Sequence, residues 1–152
     1  MKTLVVYFSR KGYVKKIAQE KAQEVNGDLY EIITSERTEG IPGFWWCGRF
    51  NMHRWPMKLE EPDVDTSDYD KVIICSPVWV FTVCAPVLAF VQQHAGKIKS
   101  VDYILVHFCG IMNYRKTSDK LDSILGIHHG TLTSIRCMWG RNFKVKKYGL
   151  SQ

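Results

Sequence analysis

The chain has 152 residues, a formal net charge of +6, 45% hydrophobic and 24% charged residues. This length and balance fit one soluble globular domain spanning 1–152 with room for a substantial core. No stretch approaches the roughly 20 apolar residues of a membrane span, so no membrane partner is expected. Met1 to Arg10 lacks the longer apolar region and small-residue cleavage site of a signal peptide, and it reads as a buried strand. The basic residues are spread along the chain apart from a short cluster at Lys144, Lys146 and Lys147. A solvated basic surface explains them better than a nucleic-acid site. Cys47, Cys75, Cys84, Cys109 and Cys137 are odd in number and contain no C-x-x-C pair. A disulfide framework and a zinc site are therefore not expected, and a reducing cytoplasm is the expected setting.

Five apolar runs read as strands: Leu4–Phe8, Leu29–Ile33, Lys71–Cys75, Tyr103–Phe108 and Leu132–Cys137. Val72-Ile73-Ile74 and Ile104-Leu105-Val106 are continuous rather than alternating, as strands covered on both faces require. Helical patterns separate the runs. Val14, Ile17, Ala18, Ala22 and Val25 form a stripe that Asn26-Gly27 stops. Pro86 fits a first helical turn ahead of Val87–Val91. Leu121, Ile124 and Leu125 form a third stripe, ended by Gly126. Such alternation predicts a doubly wound parallel sheet.

Two regions break the alternation. Residues 36–65 hold Phe44-Trp45-Trp46, Phe50 and Trp55 interleaved with Arg49, His53 and Arg54, read as a helix or lid packed on the sheet or cofactor edge. The tail from Met138 to Gln152 carries Gly140, Gly149 and few apolar positions at helical spacing. A shortened C-terminal helix is expected there. It would leave one sheet face beside the first helix open, and an exposed apolar patch is rare in monomers. A homodimer covering that face is the expectation.

Three segments carry candidate chemistry. Ser9-Arg10-Lys11-Gly12-Tyr13-Val14 joins the first strand to the first helix, where free backbone N–H groups and the positive dipole end bind phosphate. Ser76-Pro77-Val78-Trp79-Val80 follows the third strand, at the switch point where open α/β sheets bind ligands. Trp79 there can lie flat on a planar ring. Cys109 and Gly110, with Tyr114 beyond them, follow the fourth strand, where Gly110 allows close backbone approach. His107-x-Cys109 reads as a packed core pair, and His128-His129 as solvated loop histidines, so no metal ligands are assigned. No side chain stands out as an acid–base catalyst.

These segments resemble the flavodoxin-like FMN proteins over nearly the whole chain. Tyr7-Phe8-Ser9-Arg10-Lys11-Gly12 is similar to the family's S-x-T-G-x-T/S phosphate loop, and Tyr69 to Trp79 to its third strand and flavin loop. Gly43 to Pro56 is similar to an insertion in one short branch. The resemblance implies a five-stranded doubly wound sheet of order 2-1-3-4-5. It also implies FMN bound by Ser9, Arg10, Lys11, Gly12, Tyr13, Val14, Ser76, Pro77, Val78, Trp79, Val80, Cys109, Gly110 and Tyr114. The loop departs from the pattern: Lys11 and Val14 replace hydroxyl residues, so a Thr at 14 is expected to restore one hydrogen bond to the phosphate. Two function classes stay open. One is an FMN-dependent redox protein, either an electron carrier or a small-molecule oxidoreductase. The other is a flavodoxin-like binding or interaction module without tight FMN binding. The basic charge points to an acidic redox partner or anionic substrate.

Overall fold

The computed structural model describes residues 2–9, 12–33, 64–79, 82–107, 115–138 and 141–148, with the backbone alone of 79, 82, 137–138 and 141–148. The aromatic segment Phe44–Trp55 lies outside the described residues. The elements run β1 (Thr3–Tyr7), α1 (Tyr13–Val25), β2 (Asp28–Glu31), β3 (Lys71–Trp79), β4 (Thr82–Val83), α2 (Ala85–Gln93), β5 (Val101–His107), α3 (Arg115–Leu125), β6 (Leu132–Met138) and β7 (Arg141–Tyr148).

Five parallel strands form the body of the sheet in the order β2-β1-β3-β5-β6. Numbered among themselves along the chain, this is the expected 2-1-3-4-5. The continuous apolar runs lie where both faces are covered. On one face Leu4, Val6, Val72, Ile74, Tyr103 and Leu105 pack with Val87, Phe90, Val91, Leu121 and Leu125 of α2 and α3. On the other, Val5, Ile73 and Cys75 pack with Val14, Ile17, Ala18 and Ala22 of α1. Burial of Cys75 raises its thiol pKa to about 12, so it packs as a hydrophobe rather than reacting as a thiolate. Asn26 ends α1 in the left-handed conformation, and the Gly27 N–H bonds the Ala22 carbonyl at 2.9 Å. A Cβ on Gly27 would stand 2.8 Å from the Thr3 carbonyl oxygen, so only glycine lets the chain turn this closely under β1.

The tail corrects the expectation of a shortened C-terminal helix. Arg141–Tyr148 is a strand, β7, antiparallel to β6 from Met138↔Arg141 to Leu132↔Tyr148, with an irregularity between Arg136 and Cys137. The sequence Asn142-Phe143-Lys144-Val145-Lys146 alternates with period two, the strand signal, and β6 offers it an edge of backbone donors and acceptors. Ile104, Val106 and Ile135 lie on the α1 face, and all three are buried within the single chain. The open apolar face behind the homodimer expectation is therefore missing among the described residues. No described helix is long and apolar enough to cross a membrane.

His94 follows α2 and is buried. Its Nδ1 lies 2.9 Å from the Thr66 hydroxyl, and its ring stacks on Phe90 at 4.2 Å. Among the described residues its Nε2 has no partner. Burial, aided by the Lys97 charge and opposed by Asp65, holds His94 below the ordinary imidazole value of 6.5. The unfolded chain therefore takes up this proton first as pH falls. The stability contributed by neutral His94 is complete above pH 6.5 and is lost as pH drops through the lowered folded value. Urea denaturation should show a loss of stability between pH 7.5 and 5.5 that is smaller in His94→Gln. Equal losses in both proteins would show that this histidine does not govern the acid limb.

Candidate functional site at the carboxyl ends of the strands

β1, β3 and β5 end side by side, with Tyr7 beside Cys75 and Pro77 beside Val106. The chain passes from β1 to β2 on one side and from β3 to β5 on the other. The strand order therefore reverses between β1 and β3, and a crevice for a ligand opens at such a reversal.

Beside that crevice, β1 turns into α1. Gly12 caps the helix with φ 88°, a left-handed conformation that costs other residues strain. A Cβ there would meet nothing within 4 Å, so the requirement is conformational and not steric. The Gly12 N–H donates to Ser9 Oγ at 2.8 Å, which leaves the Ser9 hydroxyl hydrogen able to donate outward. The first intrahelical bond runs from the Lys16 N–H to the Gly12 carbonyl. The amides of Tyr13, Val14 and Lys15 thus have no intrahelical acceptor. The first turn carries no acidic side chain, so nothing there opposes an incoming anion. Tyr13 is 45% exposed beside these amides.

The side chain of Val14 has a different role from the one expected. It is 3% exposed and packs in the α1 core with Val5 and Tyr7. Only its amide remains a candidate for the site. A threonine there would place a hydroxyl among apolar neighbours.

The Ser76 side chain also has a structural role. It is fully buried, donates to the Pro77 carbonyl at 2.8 Å and accepts the Cys84 N–H at 3.3 Å. Its hydroxyl ties down a hairpin in which Val78 pairs with Val83 and Trp79 with Thr82. The Ser76 hydroxyl is therefore engaged in shaping the loop. Pro77 and Val78 are half-buried, and Val78 packs against the core. That leaves Trp79 at the rim end of the strand. Arg10, Lys11, Val80, Cys109, Gly110 and Tyr114 lie outside the described residues. His107 is buried with Nε2 2.6 Å from Ser134 Oγ, which accords with a packed role; Cys109, its expected companion, lies outside the described residues.

Neither a family model nor a curated protein matches the sequence. Solved structures do. The chain is similar to a Lactobacillus acidophilus flavoprotein crystallised with FMN, at 21% identity over 84% of this chain and 89% of that one, with a TM-score of 0.70. A Bacteroides uniformis protein assigned as a flavoprotein gives 23% identity, 89% and 90% coverage and a TM-score of 0.75. An archaeal flavodoxin gives 12% identity, 85% and 78% coverage and a TM-score of 0.53. The fold is flavodoxin-like. Within the flavodoxin-like sheet, the junction after β1 and the hairpin after β3 stand on adjacent strands, as the sequence placed them. The Ser76–Cys84 lock was not legible, because no spacing rule joins a hydroxyl to an amide across a hairpin.

Two substitutions separate backbone from side-chain roles at the junction. Gly12→Ala should destabilise the fold by about 1–2 kcal/mol through left-handed strain. Val14→Thr, nearly equal in volume, should cost about 1–3 kcal/mol by burying a hydroxyl. Urea denaturation measures both. A neutral Val14→Thr would mean that the hydroxyl reaches the crevice after all.

Proposed function

We propose that this chain is an FMN-dependent redox protein. The FMN phosphate sits on the amides of Tyr13, Val14 and Lys15, and the flavin lies against the hairpin at Trp79. The observation that carries this reading is the acid-free helix start at Gly12 whose first three amides have no intrahelical acceptor, set at the strand-order reversal. A dianionic phosphate suits those donors and the positive end of the α1 dipole. The likeness to a flavoprotein solved with FMN supports the same cofactor.

FMN, when bound, supplies the one- or two-electron chemistry. The chain's own residues do the rest. The Ser9 hydroxyl and the α1 amides orient the phosphate, Gly12 permits the backbone to approach it, and the Ser76–Cys84 lock holds the β3–β4 hairpin against the crevice. The net charge of +6 favours an acidic redox partner or an anionic small substrate over a basic one. The proposed setting is the cytoplasm, where free thiols such as Cys75 and Cys84 stay reduced.

Titrating FMN with the purified chain should quench flavin fluorescence at one FMN per chain. No quenching would favour the other class, a flavodoxin-like binding module. Trp79→Ala should weaken FMN binding by up to about tenfold, the value of one aromatic contact, and should shift the bound flavin's absorption. If affinity and spectrum are both unchanged, Trp79 caps the core edge and does not touch the flavin.

A further inference from the structure

A second cluster of side chains stands at the end of α3. Asp119 and Asp122 are one helical turn apart and share a face. Gly126 ends the helix in the left-handed region, with φ 76°, and the chain folds back so that His128 and His129 return to that face. His129 Nδ1 is 2.7 Å from Asp122 Oδ2 and His128 Nδ1 is 4.0 Å from the same oxygen. The donor atoms of Asp119, Asp122 and His129 all lie within 4.8 Å of one another. Asp122 and His129 are largely buried, whereas His128 is 95% exposed and free to swing inward. The other carboxylate oxygen, Asp122 Oδ1, accepts the Tyr103 hydroxyl at 2.7 Å. That bond fixes the carboxylate plane and aims Oδ2 outward.

The sequence reading of His128 and His129 as solvated loop residues therefore fails for His129. Two carboxylates and two imidazoles converge. Among the described residues, no Lys or Arg forms an ion pair with Asp119 or Asp122. An open pocket of about 360 Å³ borders the cluster, walled by Asp119, Asp122, Ser123, Gly126, Ile127 and His128. It gives an entry path and room for coordinated water.

We propose that Asp119, Asp122, His128 and His129 bind one divalent cation of the zinc class. Two oxygen and two imidazole donors suit a borderline metal in four-coordinate geometry, and imidazole disfavours Mg²⁺ and Ca²⁺. The two carboxylate charges balance the ion. Its entry replaces the direct Asp122–His129 hydrogen bond, and any proton on His129 Nδ1 leaves as the metal binds. Asp119 and Asp122 anchor the site to α3, and the loop histidines close over it.

Calorimetric titration of the purified chain with ZnCl₂ tests this. Asp119→Asn/His128→Gln changes two exposed side chains, so its metal-free melting temperature should match the wild type. In His129→Gln the amide can still bond Asp122, which preserves the fold. Wild type should bind one Zn²⁺ at this site and melt at a higher temperature with the metal, while each variant should lose affinity by more than about tenfold. Undiminished Zn²⁺ affinity in either variant would place the metal elsewhere, for example on cysteine thiols, and would overturn the proposal. An absence of binding at millimolar Zn²⁺ would show that the Asp122–His129 hydrogen bond is the whole purpose of the cluster.

Discussion

β3 sits in the middle of the sheet with Val72 to Ser76 buried. Water cannot reach its backbone, so each N–H and C=O must find a partner on a neighbouring strand. β1 supplies one ladder and β5 the other. This obligation sets the register of three strands at once. Shifting β3 by one residue would exchange the faces of Val72, Ile73 and Ile74 and break both ladders. The ends of β1, β3 and β5 are therefore held level, and the two segments that build the crevice rise from them at fixed spacing. Precision at the site is inherited from the least solvated strand in the molecule.

The helices add direction to that frame. In a strand–helix–strand unit with parallel strands, each helix runs back against the sheet. The N-terminus of α1 therefore lies at the carboxyl end of β1, and the amides of its first turn, which lack intrahelical acceptors, lie beside the strand-order reversal. Its apolar stripe, with Val14 as the first member, grips Val5, Ile73 and Cys75. One residue thus faces two ways: the Val14 amide lacks an intrahelical acceptor at the helix start, and the Val14 side chain packs in the core. The loss of a hydroxyl at this position, seen from the sequence as damage to the phosphate loop, is repaid as packing that fixes the helix start.

What could be read beforehand followed from locality. Continuous apolar runs marked the buried parallel strands, because two covered faces need no alternation. The strand–Gly–helix junction was visible because its residues are contiguous. The apolar run of β3 ends at Cys75, and the strand goes on past it. In the structure Pro77 still pairs with Val106 through the β5 ladder, and its carbonyl accepts the Cys84 N–H. β7 was missed because four basic residues masked the alternation of Phe143 and Val145, and because a parallel sheet led to the expectation of a terminal helix. Ser76 with Cys84, and Asp122 with Tyr103 and His129, are pairings made by tertiary folding alone. No periodicity announces them.

The same geometry separates the two candidate sites. α3 begins at the carboxyl ends of the strands and ends at their amino ends, so Gly126 and the histidines after it lie on the far side of the domain from Gly12. Asp122 reaches the sheet through Tyr103 of β5, the strand that also pairs with the end of β3. Burial and the Asp122 carboxylate hold the Tyr103 phenol far above its ordinary value, so it remains a neutral donor at any physiological pH. The bond is consequently a fixed strut between helix and sheet rather than a titrating switch. A cation held by Asp119, Asp122 and the histidines would stiffen that strut and the loop into β6, while the crevice beside α1 kept its own supports. Among the described residues the two candidate sites share a sheet and no side chain, so a ligand at one would leave the side chains of the other in place.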